Sequence, residues 1–441
     1  MITESPFPED TRVKNEAYTL VEAGYQVTVI ALNFDQRKFK EIVNGVLVYR
    51  LPMITIFKKS SLKSSWLDHL LYRLKSAIGY ILEYMYFTLA AFLLSQYLLL
   101  TKGIDVVHVH NPPNTLFLIG ATFRLIGKKF VFDHHDLAPE LYLSRFKANK
   151  DILYRLLMVE EKLCLKLAHM VIATNQSYKE IDAERGPVDA GKIIIVRNGP
   201  DAKRFKPVAP DPELRASERS ILVYVGIMGP QDGVDYMLAA LHHLVHEMGR
   251  SDIYCIIIGP GDALEDLKEL AGSLSLNDHV RFTGFIPKAD LLKYLSSADI
   301  CLDPNPSSPL NDFSTWIKVM EYMAMAKPLV SFDLKETRFS AQEAAVYVPA
   351  NDTRAFAQAI ANLMDDPVKR TEMGRYGRRR IEMELAWQHS AANLVAGYEK
   401  LIKGSLETSS LDVQQYNPDP TTPDVRRETV ASRPTSGGFP L

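Results

Sequence analysis

Asn311-Asp312-Phe313-Ser314-Thr315-Trp316-Ile317-Lys318-Val319-Met320-Glu321-Tyr322-Met323-Ala324 starts polar and turns helical. Ser314 and Thr315 have the chemistry of helix N-caps, and Ile317, Met320 and Ala324 fall at helical spacing. A short apolar run precedes the stretch at 299–303 and another follows at 329–333. Strand, polar turn, helix and strand in that order make one crossover unit. The same alternation runs along the whole chain, with strand candidates at 26–31, 46–51, 105–109, 129–133, 170–174 and 192–196. A second set lies at 221–226, 253–258, 280–284, 299–303, 329–333 and 345–348, with amphipathic stretches such as 236–248 and 262–274 between them. This pattern predicts an α/β fold built on parallel sheets.

A chain of 441 residues exceeds the ~250–300 residues that one core usually reaches, so two domains are expected. The seam is 198–219, which opens on the turn dipeptide Asn198-Gly199, carries four prolines and ends in a polar run. The domains are therefore set at 1–198 and 220–384, with 199–219 as linker and a deep cleft between them as the ligand site. The first strand is the exception. Residues 13–23 read as a helix, and only Met1-Ile2-Thr3 precedes the 6–8 loop. That strand is expected to be clipped, or to start upstream of Met1. The segment 404–441 is rich in Ser, Thr, Pro and Asp and reads as a disordered tail.

The composition is 47% hydrophobic and 24% charged with a formal charge of -2, so nothing calls for a nucleic-acid partner. Cys164, Cys255 and Cys301 are isolated in apolar runs, which suits a reducing compartment and speaks against disulfides or a thiolate zinc site. The polar segment 1–11 has no secretory pattern, and a cytoplasmic location is expected. Lys58, Lys59, Lys63, Arg73 and Lys75 precede an apolar stretch at 77–100, broken by Glu83, Ser95 and Gln96. A strand follows at once, so a buried crossover helix is expected rather than a span. Its basic front end is a candidate for peripheral contact with an anionic membrane surface.

Ligands of doubly wound sheets bind at the carboxyl ends of the strands. The strand at 105–109 delivers His108 and His110 there, and the strand at 129–133 delivers His134, His135 and Asp136. Zinc is one reading of these imidazoles, but no third ligand segment announces itself. His108 and His134 read as core or capping histidines, and His135-Asp136 as site residues. Gly226-Ile227-Met228-Gly229-Pro230-Gln231-Asp232-Gly233 follows a strand and opens a helix, as a phosphate-binding turn does. It is neither a GxGxxG fingerprint nor a P-loop. Gly259-Pro260-Gly261 reads as strand-to-helix geometry. Lys318 and Glu321, three apart, make either a helix salt bridge or a site. As a site, Ser314 and Thr315 with the helix start hold phosphate, Lys318 adds a cation, and Glu321 accepts bonds from sugar hydroxyls.

At this point the chain resembles the retaining, GT-B-fold glycosyltransferases of family 4, the glycosyl transferases of group 1, over roughly 8–402. The resemblance rests on Asp10-Thr11-Arg12-Val13 with Glu16-Ala17 and Gly24, and on Asp105-Val106-Val107-His108-Val109-His110-Asn111-Pro112-Pro113. Asp133-His134-His135-Asp136, Arg197-Asn198-Gly199-Pro200-Asp201 with Phe205, and Val280-Arg281-Phe282-Thr283-Gly284 continue it. Lys318-Val319-Met320-Glu321-Tyr322-Met323-Ala324-Met325-Ala326-Lys327-Pro328 completes it. Their joint order carries more weight than any single block.

The resemblance implies two facing Rossmann-like domains, with the acceptor on the first and a nucleotide sugar on the second. It implies a last helix, 385–403, that crosses back to the first domain. It also implies retention without a bound metal. Glu321 matches the family glutamate that contacts the ribose, and His135 a histidine near the transferred sugar. The chain departs from the family at three places. Phe313 stands where a second glutamate is common, Ile227 where an Arg is common, and Asp232 where a Lys is common. Lys318 is the expected replacement cation, with Arg281 and Arg197 behind it.

The expected catalytic residues are thus His135, Asp136 and Lys318. Gly226, Gly229, Ser314, Thr315, Lys318 and Glu321 are the expected donor-binding set, with no metal ligand and no cofactor. The expected reaction moves a sugar from a nucleotide diphosphate to a glycan or lipid-linked acceptor. A catalytically inactive binding protein and a sugar-nucleotide epimerase are the alternatives.

Overall fold

Runs of Val, Ile and Leu without polar alternation suit strands covered on both faces. The computed structural model describes residues 1–34, 36–54, 66–146, 149–216 and 218–403, and for 66–78, 80, 145 and 146 the backbone alone. Two sheets result. The first is eight-stranded, from β1 (Ile2–Pro6), β2 (Thr28–Asn33), β3 (Lys40–Val43), β4 (Val46–Pro52), β5 (Val106–His110), β6 (Lys129–His134), β7 (Met170–Ala173) and β8 (Ile193–Ile195), in the order β3-β4-β2-β1-β5-β6-β7-β8. The second is six-stranded, from β9 (Ser220–Val225), β10 (Ile253–Ile258), β11 (Val280–Gly284), β12 (Ile300–Asp303), β13 (Leu329–Phe332) and β14 (Ala345–Val348), in the order β11-β10-β9-β12-β13-β14. Every pairing is parallel except β3 with β4. Ile30, Val109, Phe130, Phe132 and Val171 pack the first core, and Leu222, Ile257, Leu302, Val330 and Phe332 the second. The architecture is GT-B: two Rossmann-like α/β domains.

All twelve strands expected from the sequence form. Two differences stand out. β1 extends to Pro6 and lies mid-sheet between β2 and β5, so it is longer than the three residues expected. β3 is an added antiparallel edge strand.

The apolar stretch at 77–100 belongs to one helix, Trp66–Lys102. Phe87, Ala91, Ser95 and Leu98 are buried on its inner side. Met85, Leu89, Leu93 and Tyr97 recur every fourth residue on the other side and are exposed, Leu89 and Leu93 at 61% each. The segment Ile81–Lys102 is long and apolar enough to cross a membrane by length and composition. β1 pairs with β5, however, so the strands on either side of the helix are tied into one sheet. The expected buried crossover helix is buried on one face only, because a helix lying on a sheet is covered on one side alone. Lys58, Lys59, Lys63 and the tail at 404–441 lie outside the described residues, as do the side chains of Arg73 and Lys75.

The helix Trp387–Lys403 packs on the first sheet. Trp387 Nε1 donates to Thr19 Oγ1 at 3.0 Å, and Leu394 and Tyr398 are buried in that core. A Cβ at Gly199 would stand 1.9 Å from the Leu385 carbonyl oxygen, so only glycine lets the linker pass the end of the second domain.

Candidate functional site

In each sheet the strand order reverses once, between β1 and β5 and between β9 and β12. The carboxyl ends of the strands at such reversals form ligand crevices.

At the first crevice β5 ends in His110 and β6 in Asp133 and His134. Asp133 is buried and takes two bonds from Arg12, Nε at 2.7 Å and Nη2 at 2.6 Å, and one from His110 Nδ1 at 2.7 Å. Burial alone would raise this carboxyl. Arg12, His135 and His110 outweigh it and hold Asp133 well below the usual carboxylate range. His135 Nδ1 lies 3.4 Å from Asp133 Oδ2. Burial disfavours the charged imidazole, but Asp133 outweighs that too and raises His135. Asn111 joins the two strand ends. Its Oδ1 accepts from the backbone N–H of His135 at 2.9 Å and of Asp136 at 3.2 Å, and its Nδ2 donates to the Asp136 carbonyl at 2.6 Å. His134 is turned away into the core, bonded to Asp182 at 2.6 Å with Glu161 at 3.5 Å. These carboxylates overcome the cost of burial and lift it to about 10.

At the second crevice β12 ends in Asp303. Ser331 holds its Oδ2 at 3.0 Å, while Oδ1 faces the Lys318 ammonium at 3.4 Å. Lys318 also lies over the rings of Tyr224, at 4.7 Å, and Trp316, at 5.2 Å. Asp303 Oδ1, both side-chain polar atoms of Asn305, Asn311 Oδ1 and Trp316 Nε1 are buried without hydrogen-bond partners. Such atoms are costly in a finished interior, so a cluster of them marks where a polar ligand belongs. Asp232 lies beside Lys318 and accepts from the Gly229 N–H at 2.9 Å. Burial raises its carboxyl in spite of Lys318. Glu321 is half-buried. Burial pushes it up to about 7, with Lys288 opposing.

The expected donor set is only partly brought together. Gly226 and Gly229 lie in the turn after β9, and Lys318 and Glu321 on the helix Ile317–Ala324. That helix starts at Ile317 behind Trp316 and has no side-chain cap, so Ser314 and Thr315 are not its N-caps. Ser314 Oγ donates to the Leu310 carbonyl at 2.7 Å instead. Thr315 Oγ1 accepts from Asn175 Nδ2 of the first domain at 2.9 Å. A carbonyl four residues back takes the Ser314 hydroxyl, and a side chain of the first domain takes that of Thr315. Arg197 is spent on Glu336 at 3.5 Å and stacks on Phe339, while Arg281 is exposed. Arg12, Asn111, Asp133, Asp303 and Asn305 were not expected as site residues. Asp133 and Asp303 each close a predicted apolar strand, and a charge there was the available signal.

Residues 10–204 match Glycosyltransferase Family 4, and residues 219–366 match Glycosyl transferases group 1. Alpha-D-kanosaminyltransferase of Streptomyces kanamyceticus is 31% identical over 158 residues, 35% of this chain and 39% of that protein. A second curated relative is matched over 59% of its length, so the chain spans less than two thirds of both. Among solved structures, sucrose-phosphate synthase of Thermosynechococcus elongatus superposes with a TM-score of 0.70 at 20% identity, covering 91% of this chain and 95% of that one. HepE of Anabaena in complex with UDP-glucose superposes at 0.64 and 14% identity, covering 90% and 98%. At such identities the structures share the fold. The chain belongs to the group 1, family 4 glycosyltransferases.

Proposed function

We propose that the protein transfers a sugar from a nucleotide-diphosphate donor to a glycan or lipid-linked glycan, with retention and without a metal ion at the diphosphate. The observation that carries this is a buried ammonium, Lys318, 3.4 Å from Asp303 Oδ1 and over the Trp316 ring, with Asp303 Oδ1, Trp316 Nε1 and atoms of Asn305 and Asn311 in the same segment buried without hydrogen-bond partners. Buried polar atoms left unpaired suit a hydroxyl-rich, charged ligand. The family membership and the fold shared with a UDP-glucose complex support the same ligand class.

In this reading the turn at Gly226 and Gly229 and the start of the helix Ile317–Ala324 face the diphosphate. Lys318 and the helix dipole, about half a charge, stabilise its departure. Glu321 accepts bonds from the ribose. His135 and Asp136 stand on the acceptor side, with His135 oriented by Asp133. The acceptor site faces the cytoplasmic surface of a membrane. The exposed Met85, Leu89, Leu93 and Tyr97 stripe supports that contact, since large apolar surfaces rimmed by polar residues mark interaction sites.

The test is calorimetric titration with UDP, GDP and ADP, followed by transfer from the matching sugar nucleotides to polyprenyl-linked acceptors. Nucleotide binding and transfer are expected. Lys318→Ala should lower kcat/KM roughly 10²–10³-fold, as loss of a group that stabilises developing charge does. Failure to bind any nucleotide overturns the reading. Binding without transfer would select the inactive binding protein, and donor conversion without acceptor an epimerase. Leu89→Asp with Leu93→Asp should abolish flotation with anionic vesicles.

A further inference from the structure

Behind His135, three buried side chains point atoms without hydrogen-bond partners at one another. His108 and His110 are two apart on β5 and leave the same face of the strand. Their rings stack with centroids 4.3 Å apart and planes within 20° of each other, so the two imidazoles run side by side. Glu16, from the helix Thr11–Glu22, stands opposite. Its Oε2 is 3.6 Å from His108 Nε2 and 4.0 Å from His110 Nε2. Both Nε2 atoms and both Glu16 oxygens lack hydrogen-bond partners, and all three residues are at most 1% exposed.

The outer end of each side chain is held. His108 Nδ1 is bonded to Tyr398 Oη at 2.8 Å, and His110 Nδ1 to Asp133 Oδ2 at 2.7 Å. Arg12 Nη2 lies 3.3 Å from Glu16 Oε1, the oxygen away from the histidines. An imidazole that gives its Nδ1 proton to a carboxylate presents a bare lone pair at Nε2, and metal-binding histidines are oriented in this way. Ligand atoms at 2.0–2.1 Å from a tetrahedral ion stand about 3.4 Å apart, close to the separations seen here and too long for hydrogen bonds.

We propose that Glu16, His108 and His110 form a binding site for zinc(II) or a similar first-row divalent ion. Two imidazoles and a carboxylate suit that class, and Tyr398, Asp133 and Arg12 orient the three ligands. The ion is structural. It ties the helix Thr11–Glu22 to β5 and, through Tyr398, to the last helix. It belongs to the first domain, apart from the Lys318 pocket of the second, and takes no part in departure of the diphosphate. The histidine pair was legible as a ligand candidate, and the third ligand comes from a helix near the start of the chain.

The test uses the full chain without a polyhistidine tag, purified without chelator. Mass spectrometry of the metal content should find about one zinc per chain. Cobalt(II) added to stripped protein should give the intense visible bands of a four-coordinate site. Zinc should raise the Tm of stripped protein. Glu16→Gln and His110→Asn should lose the metal and the rise in Tm, each variant being compared with its own stripped form. Stripped wild-type protein that takes up no zinc and shows no cobalt bands overturns the site, whatever the variants do. So does a zinc-dependent rise in Tm that is as large in Glu16→Gln as in wild type.

Discussion

Asp133 and Asp303 each stand at the carboxyl end of a central parallel strand, one in each sheet, and each faces a buried cation. Asp133 takes two bonds from Arg12, whose Nη1 goes to the Val196 carbonyl, and a third from His110. Asp303 is held by Ser331 and, more weakly, Thr337 on one oxygen, and its other oxygen meets Lys318 only at 3.4 Å. The Asp133 carboxylate is satisfied on both oxygens from within the protein. Asp303 keeps Oδ1 without a hydrogen bond, beside a cation it meets only as an ion pair. A saturated network holds side chains in one geometry, whereas an unsaturated one has interactions left to make with a ligand.

The largest effect expected from this contrast is on stability. Asp133→Asn leaves the Arg12 guanidinium buried opposite an amide, and should cost about 3–5 kcal/mol in urea unfolding. Asp303→Asn should cost clearly less, because Lys318 keeps its two aromatic rings. Equal losses would break the comparison. The next effect is on the donor. Glu321→Ala should weaken nucleotide-sugar binding by ~1.5–3 kcal/mol, roughly 10- to 150-fold, the worth of a hydrogen bond to a charged group. Unaltered affinity would move the ribose away from Glu321.

The smallest is a pH dependence. The Glu321 carboxyl sits at about 7, above its ordinary value. Its raised value favours the folded state most below the ordinary carboxylate range, and that contribution is lost as the pH rises through about 7. Donor binding runs the other way, because hydroxyls donate to the ionised form. Affinity should rise severalfold between about pH 6 and pH 8. Glu321→Gln should be flat over that range, and a flat wild-type profile would show that the carboxylate does not meet the donor.

Periodicity made most of the fold legible. Buried parallel strands are short apolar runs, and these stand out against the amphipathic helices between them. β1 was underestimated because Glu4, Ser5 and Pro6 look polar, yet the strand lies mid-sheet and burial pushes Glu4 up to about 7, with Glu83 adding to the shift. β3 was missed because Lys40-Glu41-Ile42-Val43 is an edge strand with no apolar face. At the site, His135 and Asp136 could be named because they follow an apolar strand. Ser314 and Thr315 have cap chemistry, but the helix starts two residues later, behind Trp316; Ser314 turns back to the Leu310 carbonyl and Thr315 to Asn175 of the first domain. The exposed side of Trp66–Lys102 was hidden because an all-round apolar helix does not say which face the sheet will cover.

By itself the sequence determined the α/β class, the strand order along the chain, the two-domain division and the family, because hydrophobic period and short motifs are local properties. Only the tertiary structure decided which charge meets which. Arg12 reaches Asp133 across 121 positions, and Lys318 is held by Asp303 rather than by Glu321 on its own helix. Glu16 turned toward His108 and His110, and Thr315 toward the other domain. Each pairing depends on geometry at a few ångströms in a medium of low dielectric, where small displacements change the energy most. A pattern of residue types carries no such distances.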